Sequence, residues 1–261
     1  MKKLLSWILV LAMLLSLCAV AAFAAEEAEE EEEENYETGD ASLDDPRNGD
    51  GIGERELLVV SFGTSFNDSR RMTIGAIEGA LDEAFGEEYA VRRGFTSQII
   101  IDHVLSRDGE VIDNVGEALD RALDNEVKVL VVQPTHLMHG FEYTDLVEEL
   151  AEYADGFDAV AVGEPLLTSD EDFQRVAEAI VEATAEYDDG ETAIVFMGHG
   201  TEHEYNKVYA RMQDVLAGKG AENYYIGTVE AEPGLDDVLA AKQPVTTYKK
   251  TLTSSSVAGR E

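Results

Sequence analysis

Thr192-Ala193-Ile194-Val195-Phe196-Met197-Gly198-His199-Gly200 is an apolar run of strand length that ends in Gly-His-Gly. It puts an imidazole where a strand gives way to a glycine-flexed turn, which is where open α/β sheets keep their chemistry. One βα unit later a second apolar run, Ile226-Gly227-Thr228-Val229-Glu230, ends in a carboxylate. If the two runs are parallel neighbours, His199 and Glu230 point into the same crevice.

Outward from that stretch the same alternation recurs from Glu56 onward, strand-length apolar runs taking turns with amphipathic stretches of helical length. That is the pattern of a parallel sheet with crossover helices. Strands are predicted over 57–62, 91–95, 127–133, 159–162, 192–198 and 224–229. Helices are predicted over 69–85, 99–106, 115–124, 143–153, 171–187 and 205–216. The roughly 200 residues involved suffice for one α/β domain or two small lobes.

The amino-terminal residues read differently. Lys2 and Lys3, an apolar stretch from Leu4 to Leu17, and Ala22-Phe23-Ala24 form a secretory signal with cleavage expected after Ala24 or Ala25, so an exported, extracytoplasmic protein is expected. The apolar stretch is short for a membrane span. Cys18, the single cysteine of the chain, would leave with the signal, so any metal must be held by His, Asp or Glu. Residues 26–54 carry the Glu29 to Glu34 run, then Asp, Gly, Asn and Pro with few apolar side chains, and read as a disordered acidic leader. Acidic residues number 55 against 19 basic, a formal charge of −36. Self-repulsion and repulsion of phosphate exclude nucleic acid and anionic lipid as expected partners.

Three loops at strand carboxyl ends carry polar groups: Ser61-Phe62-Gly63-Thr64-Ser65, Pro134-Thr135-His136-Leu137-Met138-His139-Gly140, and the Gly-His-Gly turn. Such loops converge on one edge of a parallel sheet and share a cleft. The first of them reads equally as a capped helix start. Phosphate-binding loops of dinucleotide or P-loop type are absent, as is a Gly-x-Ser-x-Gly elbow, so nucleotide binding and serine hydrolysis have no support.

At these residues the chain resembles a known family. Val59 to Ser65, Phe95-Thr96-Ser97, Val132-Gln133-Pro134-Thr135-His136, Gly163-Glu164-Pro165-Leu166-Leu167, Phe196 to Gly200 and Val229-Glu230 follow, in order and spacing, the anaerobic sirohydrochlorin cobalt chelatases of cobalamin biosynthesis. The resemblance covers about Glu56 to Leu239. It implies an α/β class II chelatase fold: two Rossmann-like lobes with parallel sheets, divided here into residues 55–190 and 191–261, with a tetrapyrrole cleft between them. It also implies a metal chelatase acting on sirohydrochlorin, with Co²⁺ as substrate metal and Fe²⁺ or Ni²⁺ as alternatives. Homo-oligomerisation is open.

Insertion of a divalent ion into a tetrapyrrole requires a site that strips water from the ion, presents it to the ring and takes up two pyrrole protons. Neutral imidazole and carboxylate suit these ions, and each can act as a base near neutral pH. Without the resemblance, His199 reads as a histidine satisfied by backbone in a turn. With it, His199 is the expected metal ligand and proton acceptor, Glu230 the second ligand, and Ser61, Gly63, Thr64, Ser65 and His136 the expected substrate-binding residues. His136 stays open between substrate contact and turn packing. His139 and His203 have weaker functional readings, and His103 is expected on a helix surface.

The chain departs from the family at its carboxyl end. The family continues through a further strand into Val-Ala-Gly-Asp-His, whose histidine completes the metal site. Here Lys249 to Glu261 echoes that approach with three serines in place of an apolar strand, and Arg260 and Glu261 stand where the aspartate and histidine would be. The sequence therefore predicts an incomplete second lobe, a two-ligand metal site, and, as the alternative to catalysis, a non-catalytic exported metal- or tetrapyrrole-binding protein.

Overall fold

A computed structural model of the chain describes residues 38–241 and 247–251, with side chains as far as residue 240. The signal-like segment, the glutamate run, Cys18 and residues 252–261 lie outside the described residues, so the expectations placed on them are not addressed by it.

Two parallel sheets are present. Strands β1 (Arg55–Ser61), β2 (Ala90–Phe95), β3 (Val129–Pro134) and β4 (Ala159–Val162) pair in the order β2-β1-β3-β4. Strands β5 (Thr192–Gly198), β6 (Tyr224–Thr228) and β7 (Thr247–Thr251) pair in the order β6-β5-β7. Leu57, Leu58, Val59 and Val60 are all buried, as a continuous apolar strand covered on both faces must be, and β1 accordingly sits inside its sheet. Each order contains a switch point, where successive connections leave to opposite sides and a crevice opens at the strand carboxyl ends. In the first sheet it falls between β1 and β3; in the second it falls at β5, the strand that ends in His199.

The helices are α1 (Asn67–Met72), α2 (Ile74–Phe85), α3 (Gln98–Asp108), α4 (Val115–Asp124), α5 (Phe141–Tyr153), α6 (Asp170–Thr184), α7 (Lys207–Gly218) and α8 (Leu235–Ala241). Capping boxes start two of them: Asn114 with Glu117 opens α4, and Ser169 with Asp172 opens α6. Helix α3 stops at Gly109, which takes the left-handed conformation at φ 69°. One core joins β1, β3, α4 and α5 through Leu58, Leu119, Leu130 and Leu146. A second joins β5, β6, α6 and α7 through Phe173, Ile194, Leu216 and Tyr224. Helix α6, which the 55–190 division grouped with the first lobe, thus gives its buried face to the second core. Leu137 and Met138, from the loop after β3, pack there as well.

Three sequence expectations need correction. The helix predicted over 69–85 is two helices broken at Thr73, whose hydroxyl donates to the Ser69 carbonyl at 2.7 Å, the back-bonding by which a mid-helix threonine bends its helix. The disordered leader does not extend to residue 54, because Asp40 to Glu54 lies folded on the first lobe. Asp44 accepts from Arg70 Nε at 2.6 Å and from Arg93 Nη1 at 2.7 Å, with all three side chains buried. Ile52 packs on the first core and Asn48 donates to the Val111 carbonyl at 2.6 Å. Composition missed this because the segment is held by ion pairs and main-chain bonds instead of apolar burial. Finally, the second sheet gains a third strand over Thr247–Thr251, parallel to β5 from Thr192 to Phe196. Its Thr-Tyr-Lys-Lys-Thr sequence lacks an apolar run yet carries the β-branched and aromatic residues that fit an edge.

Candidate active site

The Gly-His-Gly turn explains itself residue by residue. A side chain on Gly198 would overlap the Tyr209 ring. Gly200 has φ +88°, and a Cβ there would lie 2.9 Å from the backbone nitrogen and Cβ of Ala231. Only glycine fits a left-handed position so close to another main chain. Between them His199 is thrust outward, its side chain 40% exposed.

The turn after β6 is tied directly to it. Glu230 N–H donates to the His199 carbonyl at 2.8 Å and Val229 N–H to the Gly198 carbonyl at 3.0 Å. Thr228 N–H donates to the Pro233 carbonyl at 2.7 Å, and Asn206 Nδ2 donates to the Glu232 carbonyl at 2.7 Å. The structure thereby brings together the two residues that the sequence paired: His199 Nε2 lies 3.5 Å from Glu230 Oε2.

That geometry suits a cation. His199 Nδ1 is 2.9 Å from the Gly200 carbonyl, which can only accept, so the neutral ring carries its proton on Nδ1 and presents the Nε2 lone pair. Ligand bonds of about 2.1 Å would let atoms 3.5 Å apart subtend an angle of about 110° at a shared first-row ion. Among the described residues no group of three or more His, Cys, Asp or Glu side chains is placed to hold a metal, so the pair stands as a two-ligand arrangement.

The expected substrate residues fall on the first sheet's switch point. Ser61 is buried, and its hydroxyl accepts from Thr135 Oγ1 at 2.8 Å, so it fixes the loop after β3 and does not face open space. Gly63, at φ +103°, lets the chain pass the Phe95 ring, which a Cβ would meet at 2.6 Å. The Thr64 carbonyl accepts from Arg70 at 3.1 Å and the Ser65 carbonyl from Arg107 at 2.7 Å, so this loop is held by its backbone. His136, its side chain 9% exposed, has Nε2 3.1 Å from Glu142 Oε2, yet neither ring nitrogen makes a hydrogen bond.

Sequence reasoning missed the junction of the two halves. His139 Nε2 lies 2.6 Å from Glu164 Oε2, and the His139 ring meets Tyr143 at 4.9 Å and Tyr205 at 5.3 Å. Phe141 packs edge-on against His203 at 4.6 Å, while His203 Nδ1 accepts from Tyr205 N–H at 3.3 Å. Burial, with the Glu164 carboxylate adding to it, pushes the Tyr143 phenol above its ordinary range. Glu164 was within reach of the sequence, since it stands just past β4 and the rule that selected the loops after β1 and β3 applies there equally.

Two parallel α/β lobes with an imidazole–carboxylate pair at a strand edge form an architecture of the class II chelatase type. The family model described as Cobalt chelatase (CbiK) matches residues 55–258, and the chain belongs to that family. "Sirohydrochlorin cobaltochelatase" of Salmonella typhimurium is 32% identical over 185 residues, 70% of this chain and 68% of the relative. "Sirohydrochlorin cobaltochelatase CbiKC" of Nitratidesulfovibrio vulgaris is 30% identical over 192 residues, 73% and 67% of the two chains.

Proposed function

We propose that this protein inserts Co²⁺ into sirohydrochlorin for anaerobic cobalamin synthesis, as a lyase-type chelatase, and does so outside the cytoplasm. The observation that carries the reading is the His199–Glu230 pair, a free imidazole lone pair and a carboxylate 3.5 Å apart at the switch point of a parallel sheet. Membership of the cobalt chelatase family and the names of its relatives support the choice of metal and ring. In this reading the pair takes the ion from water, and half-exposure of both side chains leaves them open to a planar ring approaching from solvent. As the ion enters, two pyrrole N–H bonds break and two protons leave, the first to a base in the cleft. Thr64, Ser65 and His136 line the approach from the other sheet, with Ser61 holding the loop after β3 behind them, and Fe²⁺ and Ni²⁺ compete as ions of similar ligand preference.

The test is the absorbance change of sirohydrochlorin on adding Co²⁺ with and without the purified protein. Acceleration that disappears in His199→Ala supports insertion. Binding of metal or ring by a folded protein without acceleration would favour the non-catalytic reading.

A further inference from the structure

The His199–Glu230 pair is assembled from two turns, since His199 follows β5 and Glu230 follows β6. At the ligands themselves the turns are joined by main chain, Glu230 N–H donating to the His199 carbonyl at 2.8 Å. Two residues further along each turn the link is a side chain. Asn206 Oδ1 accepts from Thr201 N–H at 3.0 Å, and Asn206 Nδ2 donates to the Glu232 carbonyl at 2.7 Å. An N–H can only donate and a carbonyl can only accept, so one orientation of the carboxamide satisfies both turns at once.

Helix capping is the ordinary reason for an asparagine at this place, because Asn206 directly precedes α7. The structure sets that reason aside. Its side chain makes no capping bond, and its backbone is already helical at φ −53° and ψ −24°. The segment that carries it is itself fixed. His203 N–H donates to Thr201 Oγ1 at 3.1 Å, and Asn206 N–H donates to the His203 carbonyl at 3.0 Å. The His203 ring packs on Phe141 and the Tyr205 ring on His139, both from the chain after β3, which gives the clamp a footing on the first lobe.

We infer that Asn206 is a positioning residue for metal uptake: it clamps the turn of His199 to the turn of Glu230 and so keeps Nε2 and Oε2 at the 3.5 Å that one ion can bridge. The choice of Co²⁺ as that ion rests on the chelatase reading above. Groups that hold metal ligands in place are commonly worth about ten- to a hundredfold in affinity. Asn206→Asp is the discriminating change. It keeps the shape and the acceptor for Thr201 but sets an oxygen, in place of a donor, against the Glu232 carbonyl.

The experiment titrates the full chain with Co²⁺ alone, counting only the binding that His199→Ala abolishes, which sets aside ions held by the glutamate run. Sirohydrochlorin binding is measured separately by absorbance. N206D and N206A bind Co²⁺ about tenfold more weakly than wild type or worse, while affinity for the ring stays within about twofold. Should N206A fail to fold, N206D carries the test. Co²⁺ affinity within about twofold of wild type overturns the inference, and so does a parallel loss of ring affinity, which would make Asn206 a structural residue only. A wild type without His199-dependent Co²⁺ binding overturns it too. A wild type that binds Co²⁺ but neither binds the ring nor inserts cobalt refutes the chelatase reading alone. The clamp is then decided by the Co²⁺ titration, on variants whose circular dichroism matches wild type.

Discussion

Glu56 offers the most quantitative test of how this fold handles charge. It is the second residue of β1, 1% exposed, and its Oε2 has no hydrogen-bond partner. Burial is the main reason that its carboxyl is raised from an ordinary value near 4.5 to about 7; Arg92 works against the shift and Asp113 adds to it. A carboxyl raised in this way holds its proton in the folded state where the unfolded chain has already released it, so folding stability falls as pH rises between the two values. The loss begins near pH 4.5 and is complete above pH 7. At ~1.4 kcal/mol per pH unit, the ionised side chain costs about 3 kcal/mol at pH 8. Glu56→Gln keeps the shape and, like the protonated acid, an unsatisfied donor, so it isolates the cost of ionisation. Urea unfolding followed by circular dichroism from pH 5 to pH 8 should show the variant and wild type close together at pH 5, with the variant gaining about 3 kcal/mol by pH 8. Parallel stability curves across that range would refute the reasoning.

The remaining predictions concern the strap and the site. Asp44→Ala leaves the buried Arg70 and Arg93 guanidinia short of a shared carboxylate and should cost about 3 kcal/mol or more in denaturant unfolding; a loss under about 1 kcal/mol would mean that Asp40 to Glu54 is not anchored there. His199→Ala should abolish cobalt insertion, and Glu230→Gln should slow it strongly with less effect on tetrapyrrole binding; full activity in either removes that residue from the site. Gly200→Ala forces a Cβ against Ala231 and shifts the turn that aims His199, so insertion should fall more than about tenfold while circular dichroism stays close to wild type. Wild-type turnover in that variant would show that the turn tolerates displacement.

The His199–Glu230 pairing was legible because both residues end apolar runs, and parallel strands bring such ends to one edge regardless of what lies between them. Most element bounds were legible for the same reason of periodicity, as in α4 over 115–124 and β4 over 159–162. The contacts that escaped prediction join residues far apart in sequence. Nothing local to Asp44 announces Arg70 and Arg93, and nothing local to Tyr205 announces His139. The break at Thr73 depends on a single hydroxyl, and β7 draws its place from β5 and not from its own polarity.

The exchange of material between the halves bears on how the molecule comes apart. Helix α6 and the side chains of Leu137 and Met138 complete the second core, although α6 follows the last strand of the first sheet and the two side chains follow β3. Neither half can then be severed without opening apolar interior on the other. The expectation is one cooperative melting event instead of two, and a first half produced alone would carry Leu137, Met138, Phe173 and Ala177 bare to solvent, a surface prone to aggregate.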